Sequence, residues 1–475
     1  MPPLIPRGWA PRLAAMHDTV PAHIFREYDI RGLVDADLGD EVIERIARAF
    51  ALRVLHEGNG PVVLGRDCRP SSERIAQAFA RGLLGSGVDV VDVGLVPTPL
   101  VYYGAHAIEG AGGMAMVTGS HNPPEYNGLK LGVGTEALFG EEIRALGRRA
   151  AAGDFRTGAG TMRTVDLLPR YLDDVASRIR MGGRRLKVVV DAGNGVGGLV
   201  AGPLYERLGV EVVGMYLEPD GRFPHHHPDP TVEKNLEALC ARVRADGADL
   251  GIAFDGDADR IGVIDETGRT IWGDELTLLF ARAVLAEEPG ATVISEVKCS
   301  QTLFDEIERL GGRAVMWKAG HSLIKAKMKE TGAALAGEMS GHVFFAHRWY
   351  GFDDGPYAGA RLLEILSRTD RPLSALLAEI PKTVSTPELR RDVGSEERKF
   401  EIVRRAVERF RAAGHRVIDV DGARVVFEDG AWGLVRASNT TPILVLRFEA
   451  HSEARLAEIR ALFADVLGQL EREVA

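Results

Sequence analysis

The sequence predicts an α/β protein of four domains: three similar mixed-sheet α/β domains plus a C-terminal α+β domain. Three observations carry this. At 475 residues the chain exceeds one ordinary core, since domains run to roughly 100–200 residues each. A single plan, an apolar strand, an amphipathic helix, a glycine stop and a second strand, occurs three times. After about residue 381 the plan gives way to short strands bracketed by two helices.

The stretch before the first repeat holds Pro2, Pro3, Pro6 and Pro11 with scattered arginines and no continuous apolar core. It reads as a disordered lead-in, neither signal peptide nor membrane anchor, with Met16 an alternative start. The first copy puts a β-branched strand over 61–67, a helix over 71–84 closed by Gly85 and Gly87, and a strand over 88–93. The second opens at 186–191, continues in a helix ending near Gly209, and closes with a strand over 210–216. The third runs 291–296, then a helix over 301–310, the stop Gly311-Gly312 and a strand over 314–317. Glycine-capped helices between apolar runs mark βαβ units. Ligands in such sheets sit at the carboxyl ends of strands, where Asp67, Asp191 and Lys298 fall. The last part reads as a helix over 396–413, strands over 416–419, 423–427, 432–437 and 443–450, and a closing helix over 454–471. Domain limits follow at 1–166, 167–269, 270–381 and 382–475.

A net charge of −10 argues against a nucleic-acid partner. It leaves room for an anionic substrate, because clustered Arg and Lys can invert the potential inside a cleft. Cys68, Cys240 and Cys299 fit neither a zinc spacing nor a disulfide framework, so a cytoplasmic location is expected.

Two segments point to phosphoryl transfer. Thr118-Gly119-Ser120-His121-Asn122-Pro123-Pro124 offers a hydroxyl on a stiffened loop. Asp255-Gly256-Asp257-Ala258-Asp259-Arg260 gathers three carboxylates within five residues, behind an apolar strand. Two such charges ~4 Å apart repel by about 4 kcal/mol at an effective dielectric near 20, so a divalent cation, Mg²⁺ above all, is expected among them. An EF-hand is excluded because Arg260 replaces the required glycine and a strand precedes the loop. A Ser–His hydrolase is disfavoured because neighbouring side chains seldom make the aligned bond of a triad, and no G-x-S-x-G elbow surrounds Ser120.

Other motifs carry less. Gly193-Asn194-Gly195-Val196-Gly197-Gly198 satisfies G-x-G-x-x-G, keeping an NAD-dependent oxidoreductase as an alternative. Its position mid-chain and the nearby Asp191 favour a turn for tight helix packing. His225-His226-His227, set among prolines, reads as a surface or interface loop. Gly337-Glu338-Met339-Ser340-Gly341-His342 presents polar groups between glycines. Arg436-Ala437-Ser438-Asn439-Thr440-Thr441-Pro442 offers one fixed positive charge and several hydrogen-bonders, suiting a phosphate dianion.

TGSHNPPEYNGLK, DGDADR, GEMSGH and RASNTTP, in this order, resemble the motifs of the α-D-phosphohexomutase superfamily. FREYDIRG and VMWKAGHSLIK bring the likeness close to its bacterial phosphomannomutase/phosphoglucomutase branch. The resemblance covers nearly the whole chain and implies four domains around a central cleft. It implies a phosphoserine at Ser120 with His121 and Lys130 beside it. One Mg²⁺ per chain is implied at Asp255, Asp257 and Asp259, with Ser120 as a further ligand and Arg260 following. Sugar contacts fall on Glu338, Ser340 and His342, and phosphate contacts on Arg436, Ser438, Asn439 and Thr440. Tyr28, Arg31, Lys298 and His321 match cleft residues. The implied reaction interconverts hexose 1-phosphates and 6-phosphates of mannose or glucose through a hexose 1,6-bisphosphate. Lys130, His121, His321 and His342 are candidate proton carriers. Phosphosugars are the implied partners, with no nucleic acid or membrane, and the chain is expected to act as a monomer. Phosphoglucosamine mutases, the nearest rival, typically differ at the Met339 position.

Overall fold

The structure, a computed structural model, describes residues 20–438 and 443–474. The lead-in with Met16, and Asn439 and Thr440 of the last motif, lie outside the described residues.

The opening apolar run of each repeat becomes a buried strand in the interior of its own sheet, while the closing runs of the second and third lie at sheet edges. In the first, Val62–Arg66 pairs in parallel with Gly113–Val117 and Val90–Leu95. Strand Tyr126–Val133 runs antiparallel to Gly113–Val117 and carries Ile30–Leu33 at the edge. The Ser120 loop is therefore the connection of an antiparallel pair, which makes the sheet mixed. The helices Asp40–Arg53 and Ser72–Leu84 cover one face and Thr98–Ala107 the other.

The second sheet orders its strands Thr270–Ile271, Ile261–Asp265, Leu250–Phe254, Lys187–Asp191 and Glu211–Met215. The Asp255–Arg260 loop joins its one central antiparallel pair. The third orders Arg313–Trp317, Thr292–Glu296, Leu335–Gly337 and Val343–Phe345. Here the Glu338–His342 loop again turns between antiparallel neighbours. Each of the three motifs thus sits where a parallel sheet reverses direction.

The last sheet is antiparallel, with Trp432–Ala437 and Ile443–Ala450 at its centre and the helices Glu396–Ala412 and Glu453–Glu473 packed on it. One apolar core runs continuously from the Thr98–Ala107 helix through the second and third sheets to Leu377. The fourth unit has its own core and meets the third through Val297, Trp432 and Leu434. Arg424 lies fully buried at this junction, stacked 3.8 Å from the Trp432 ring and donating to the carbonyls of Val297 and Cys299.

Candidate active site

Strand Gly113–Val117 delivers Thr118-Gly119-Ser120 beside the end of Val62–Arg66, where Asp67 takes over their polar groups. Its carboxylate accepts from Thr118 Oγ1 at 2.9 Å and Gly119 N at 3.2 Å. Arg69, buried behind the loop, donates to the carbonyls of Ser120, Pro123 and Tyr126 at 2.7–3.0 Å and to that of Asn122 at 2.5 Å. Sequence reasoning missed Arg69. Its signal was the pair Asp67-Arg69 at the carboxyl end of a strand, where a buried ion pair holds a loop. So braced, Ser120 adopts φ +48°, a left-handed conformation uncommon for a residue with a side chain.

That conformation points Ser120 Oγ at the second domain, where it donates to Asp255 Oδ2 at 2.8 Å. It also brings Oγ within 3.2 Å of His121 Nδ1. Neighbouring Ser and His side chains do meet here, against the expectation from sequence, because the backbone is left-handed. The backbones meet as well: a Cβ on Gly256 would lie 2.5 Å from the Ser120 carbonyl oxygen, so this position requires glycine. His227 of the histidine run donates from Nε2 to the His121 carbonyl. His226 pairs with Asp191 at 3.0 Å. The run is thus an interface between domains one and two, and the glycine-rich turn supports it, with Asn194 Oδ1 2.7 Å from His225 Nδ1.

Asp255, Asp257 and Asp259 are fully buried. Lys130 lies between domains, donating to Asp257 Oδ2 at 2.6 Å and to Asp259 Oδ2. Thr98 Oγ1 donates to the same Asp257 oxygen at 2.6 Å. Among the described residues, Oδ1 of Asp257 and Oδ1 of Asp259 have no hydrogen-bond partner. Burial, then repulsion from Asp257 and Asp259, pushes the Asp255 carboxyl well up. Burial acts the same way on Asp257, but the Lys130 ammonium outweighs it and holds that carboxyl below its usual range. Burial alone would discharge Lys130; Asp257 and Asp259 keep it a cation. Three buried carboxylates, two with idle oxygens, whose ligand atoms lie within 4.8 Å of one another, fit a divalent oxygen-loving cation.

Arg260 extends the site into the third domain, its Nε 3.0 Å from His342 Nε2. His342 Nδ1 faces Asp353 Oδ2 at 3.0 Å, and its ring stacks on His321 at 5.3 Å. Burial first, with Arg260 and Arg31, holds the His121 ring neutral. Glu338 is buried and accepts from the amide of Gly320 at 2.6 Å, while Ser340 is half-buried on the same loop. Burial raises the Glu338 carboxyl above its ordinary value.

The fourth domain reaches this cleft through Asp421, which sequence reasoning also missed. Its Oδ2 accepts from Arg436 Nε at 2.9 Å and from the amide of Ala319 at 3.1 Å. The Ala319 carbonyl accepts from Tyr28 of the first domain at 2.6 Å. Arg436 Nη2 is buried with no partner among the described residues. Ser438 is buried at the end of the same strand, its carbonyl held by Lys399 Nζ at 2.6 Å. Arg31 donates to the Gly119 carbonyl at 2.9 Å and so braces the serine loop. Lys298 stands toward the junction of domains three and four, with Glu388 at 3.2 Å and Glu296 at 3.6 Å. Ser120 and Lys130 thus join the aspartate loop directly, Arg260 links that loop to His342 and His321, Lys298 pairs instead with Glu388 and Glu296, and Arg436 reaches Tyr28 through Asp421 and the Ala319 backbone.

Four profiles of one family match in succession: phosphoglucomutase/phosphomannomutase alpha/beta/alpha domains I, II and III over 22–156, 169–268 and 272–384, and the C-terminal domain over 388–466. A phosphomannomutase/phosphoglucomutase of Pseudomonas aeruginosa is 50% identical over 450 residues, covering 94% of this chain and 96% of that one. A phosphoglucomutase of Neisseria gonorrhoeae is 45% identical over 447 residues, with 94% and 96% covered. Among solved structures, a phosphoglucomutase/phosphomannomutase family protein from Burkholderia thailandensis superposes with a TM-score of 0.89 at 46% identity, covering 95% of this chain and 98% of that one.

Proposed function

Because the chain belongs to the phosphoglucomutase/phosphomannomutase family, an isomerase family that interconverts hexose 1- and 6-phosphates, we propose that Ser120 carries its phosphoryl group. The observation behind this is the Ser120 Oγ to Asp255 Oδ2 contact of 2.8 Å beside idle oxygens of Asp257 and Asp259. A phosphoserine brings about −1.5 to −2 charges to a site with three carboxylates. Ser120, Asp255, Asp257 and Asp259 would hold Mg²⁺, which supplies charge neutralisation at the transferring phosphoryl group.

In the first transfer a sugar hydroxyl oxygen attacks phosphorus and gives up its proton to a base of the cleft, the bond to Ser120 Oγ breaks, Oγ takes up a proton, and a hexose 1,6-bisphosphate forms. After reorientation Ser120 Oγ loses that proton and attacks the other phosphate, and the sugar oxygen released takes up a proton to give the isomeric monophosphate. His121 Nδ1, neutral and 3.2 Å from Oγ, is placed to take the proton that Oγ loses as it is rephosphorylated. Lys130, held as a cation by two carboxylates, serves as charge rather than as base. Arg260 and His342 bridge toward the bound sugar, with His321 stacked beside them. Glu338 and Ser340 hold sugar hydroxyls common to both orientations, while Arg436 and Ser438, with Asn439 and Thr440 beside them in sequence, grip the phosphate that is not reacting. Tyr28, Arg31 and Lys298 complete the rim of the cleft.

Mannose and glucose phosphates are the proposed substrates, and the proposed setting is a monomer in the cytoplasm. No helix among the described residues is long and apolar enough to cross a membrane. Coupled mutase assays on mannose, glucose and glucosamine 1-phosphates test the reading. Turnover of the first two, abolished in Ser120→Ala, is expected; exclusive use of the amino sugar would overturn the assignment.

A further inference from the structure

We propose that Lys325, which lies outside the four motifs, is a positioning residue: its ammonium fixes the His321 imidazole in the tautomer that carries its proton on Nε2. This deepens the reading of the cleft as the phosphoryl-transfer site and rests on it for its catalytic meaning.

The helix His321–Thr331 places residue 325 one turn beyond residue 321, so the two side chains share a face. Lys325 Nζ lies 3.3 Å from His321 Nδ1. An ammonium has hydrogens to give and no lone pair to offer. Nδ1 must therefore be the bare, accepting nitrogen, and the ring proton sits on Nε2. Two further contacts hold Lys325 in place: Nζ is 2.8 Å from Asp353 Oδ1 and 4.2 Å from the centre of the Tyr102 ring, supplied by the first domain. The competing arrangement would send an Nδ1 proton to Asp353 Oδ2. That oxygen is 3.7 Å away, and it faces His342 Nδ1 at 3.0 Å. Ser322 Oγ, at 3.4 Å, can donate to Nδ1 as readily as accept.

Burial would strip the charge from a lone lysine here, but Asp353 outweighs it and raises the Lys325 ammonium above its usual range. Burial and then Lys325 push the His321 ring well below the ordinary imidazole value. The other groups facing that ring are Asp353, His342 stacked on it, Lys130 of the first domain, and the edge of Tyr28 at 5.8 Å. Of the charged ones, Asp353 alone favours a protonated ring. His321 is therefore a neutral imidazole whose Nε2–H is the proton it can offer to an acceptor. A ring held in this way stabilises negative charge on a substrate oxygen without giving up its proton.

Nitrogen-15 NMR of histidine-labelled enzyme, with His321 assigned by its loss in His321→Gln, reads the tautomer directly. In the resting wild type the expected pattern is a protonated Nε2 and a bare Nδ1, without titration between pH 6 and 8. In Lys325→Met the proton should move to Nδ1, toward Asp353, the ring should titrate at a higher pH than in the wild type, and kcat should fall about tenfold or more with KM nearly unchanged. Lys325→Arg, which keeps a charged donor, should restore the wild-type tautomer. An Nδ1–H tautomer in the wild type overturns the proposal without any variant, so it stays exposed even where Lys325→Met does not fold. An unchanged ring in Lys325→Met also overturns it. The tautomer is read in resting protein, so the expected spectrum in an enzyme without mutase activity would defeat the functional reading and leave the geometry standing.

Discussion

Ser120 Oγ and Asp255 Oδ2 meet at 2.8 Å although 135 positions and a domain boundary separate them. The contact binds a hydroxyl to a carboxylate that burial and its neighbours push toward protonation. The proposed nucleophile and the proposed cation site are therefore one structure. Intact-protein mass spectrometry should show a fraction heavier by one phosphate, absent in Ser120→Ala, whose mutase activity should fall by several orders of magnitude. Phosphate found on another residue, with an active alanine variant, would contradict the assignment.

Lys130 balances Asp257 and Asp259 when no cation does. Lys130→Met leaves two buried carboxylates uncompensated, a loss of about 3–5 kcal/mol by the usual cost of breaking a buried pair. In chelator its unfolding temperature should drop well below the wild-type value. Added Mg²⁺ should recover more of that drop in the variant than it adds to the wild type. Equal responses in the two proteins would show that the ammonium and the cation do not share these oxygens.

Arg436 keeps one buried donor without a partner among the described residues. Its guanidinium can grip a phosphate dianion without reading the sugar beyond it. Arg436→Ala should therefore raise KM for 1-phosphate and 6-phosphate substrates by similar factors, about 10- to 100-fold, the loss of one or two charge-assisted hydrogen bonds. An effect confined to one isomer would mean that the two orientations use different phosphate sites.

His226 and Asp191 set a pH dependence of stability. Burial disfavours the charged ring, but the hydrogen bond and charge of Asp191 outweigh it, so the folded imidazole lies above its ordinary value. The stabilisation is then fully present below the unfolded value of about 6.5 and lost as pH rises through the raised folded one. His226→Gln should lower the unfolding temperature more at pH 6 than at pH 9. A pH-independent difference would show that the pair holds no proton.

Much of this was legible in the chain because the signals were local. The strand expected over 432–437 is observed at Trp432–Ala437, and the helix expected over 71–84 at Ser72–Leu84. Apolar periodicity and glycine stops act over a few residues, as do the crowded aspartates of 255–259. Asp353 and Asp421 were not legible, since each acts through a partner that only the fold supplies, whereas Arg69, two residues from Asp67, and Lys325, one helical turn from His321, have local partners whose meaning comes from the loop and the cleft around them. Asp421 matters because the Ala319 amide, 102 positions away, meets its carboxylate. The run His225-His226-His227 was read as a surface or interface loop. Its contact with the His121 carbonyl, 106 positions away, shows which interface.

The first two domains are held together at the site itself. Ser120 with Asp255, Lys130 with Asp257 and Asp259, Thr98 with Asp257, His227 with the His121 carbonyl, and the close approach of Gly256 to Ser120 form one seam. In a cell, proteases and chaperones act on whatever fraction of a protein is open, and a loss of 1–2 kcal/mol changes abundance several-fold. Inherited or selected substitutions along this seam would therefore reduce the number of enzyme molecules as well as the output of each, and genetic screens would score them as more severe than purified-enzyme assays do.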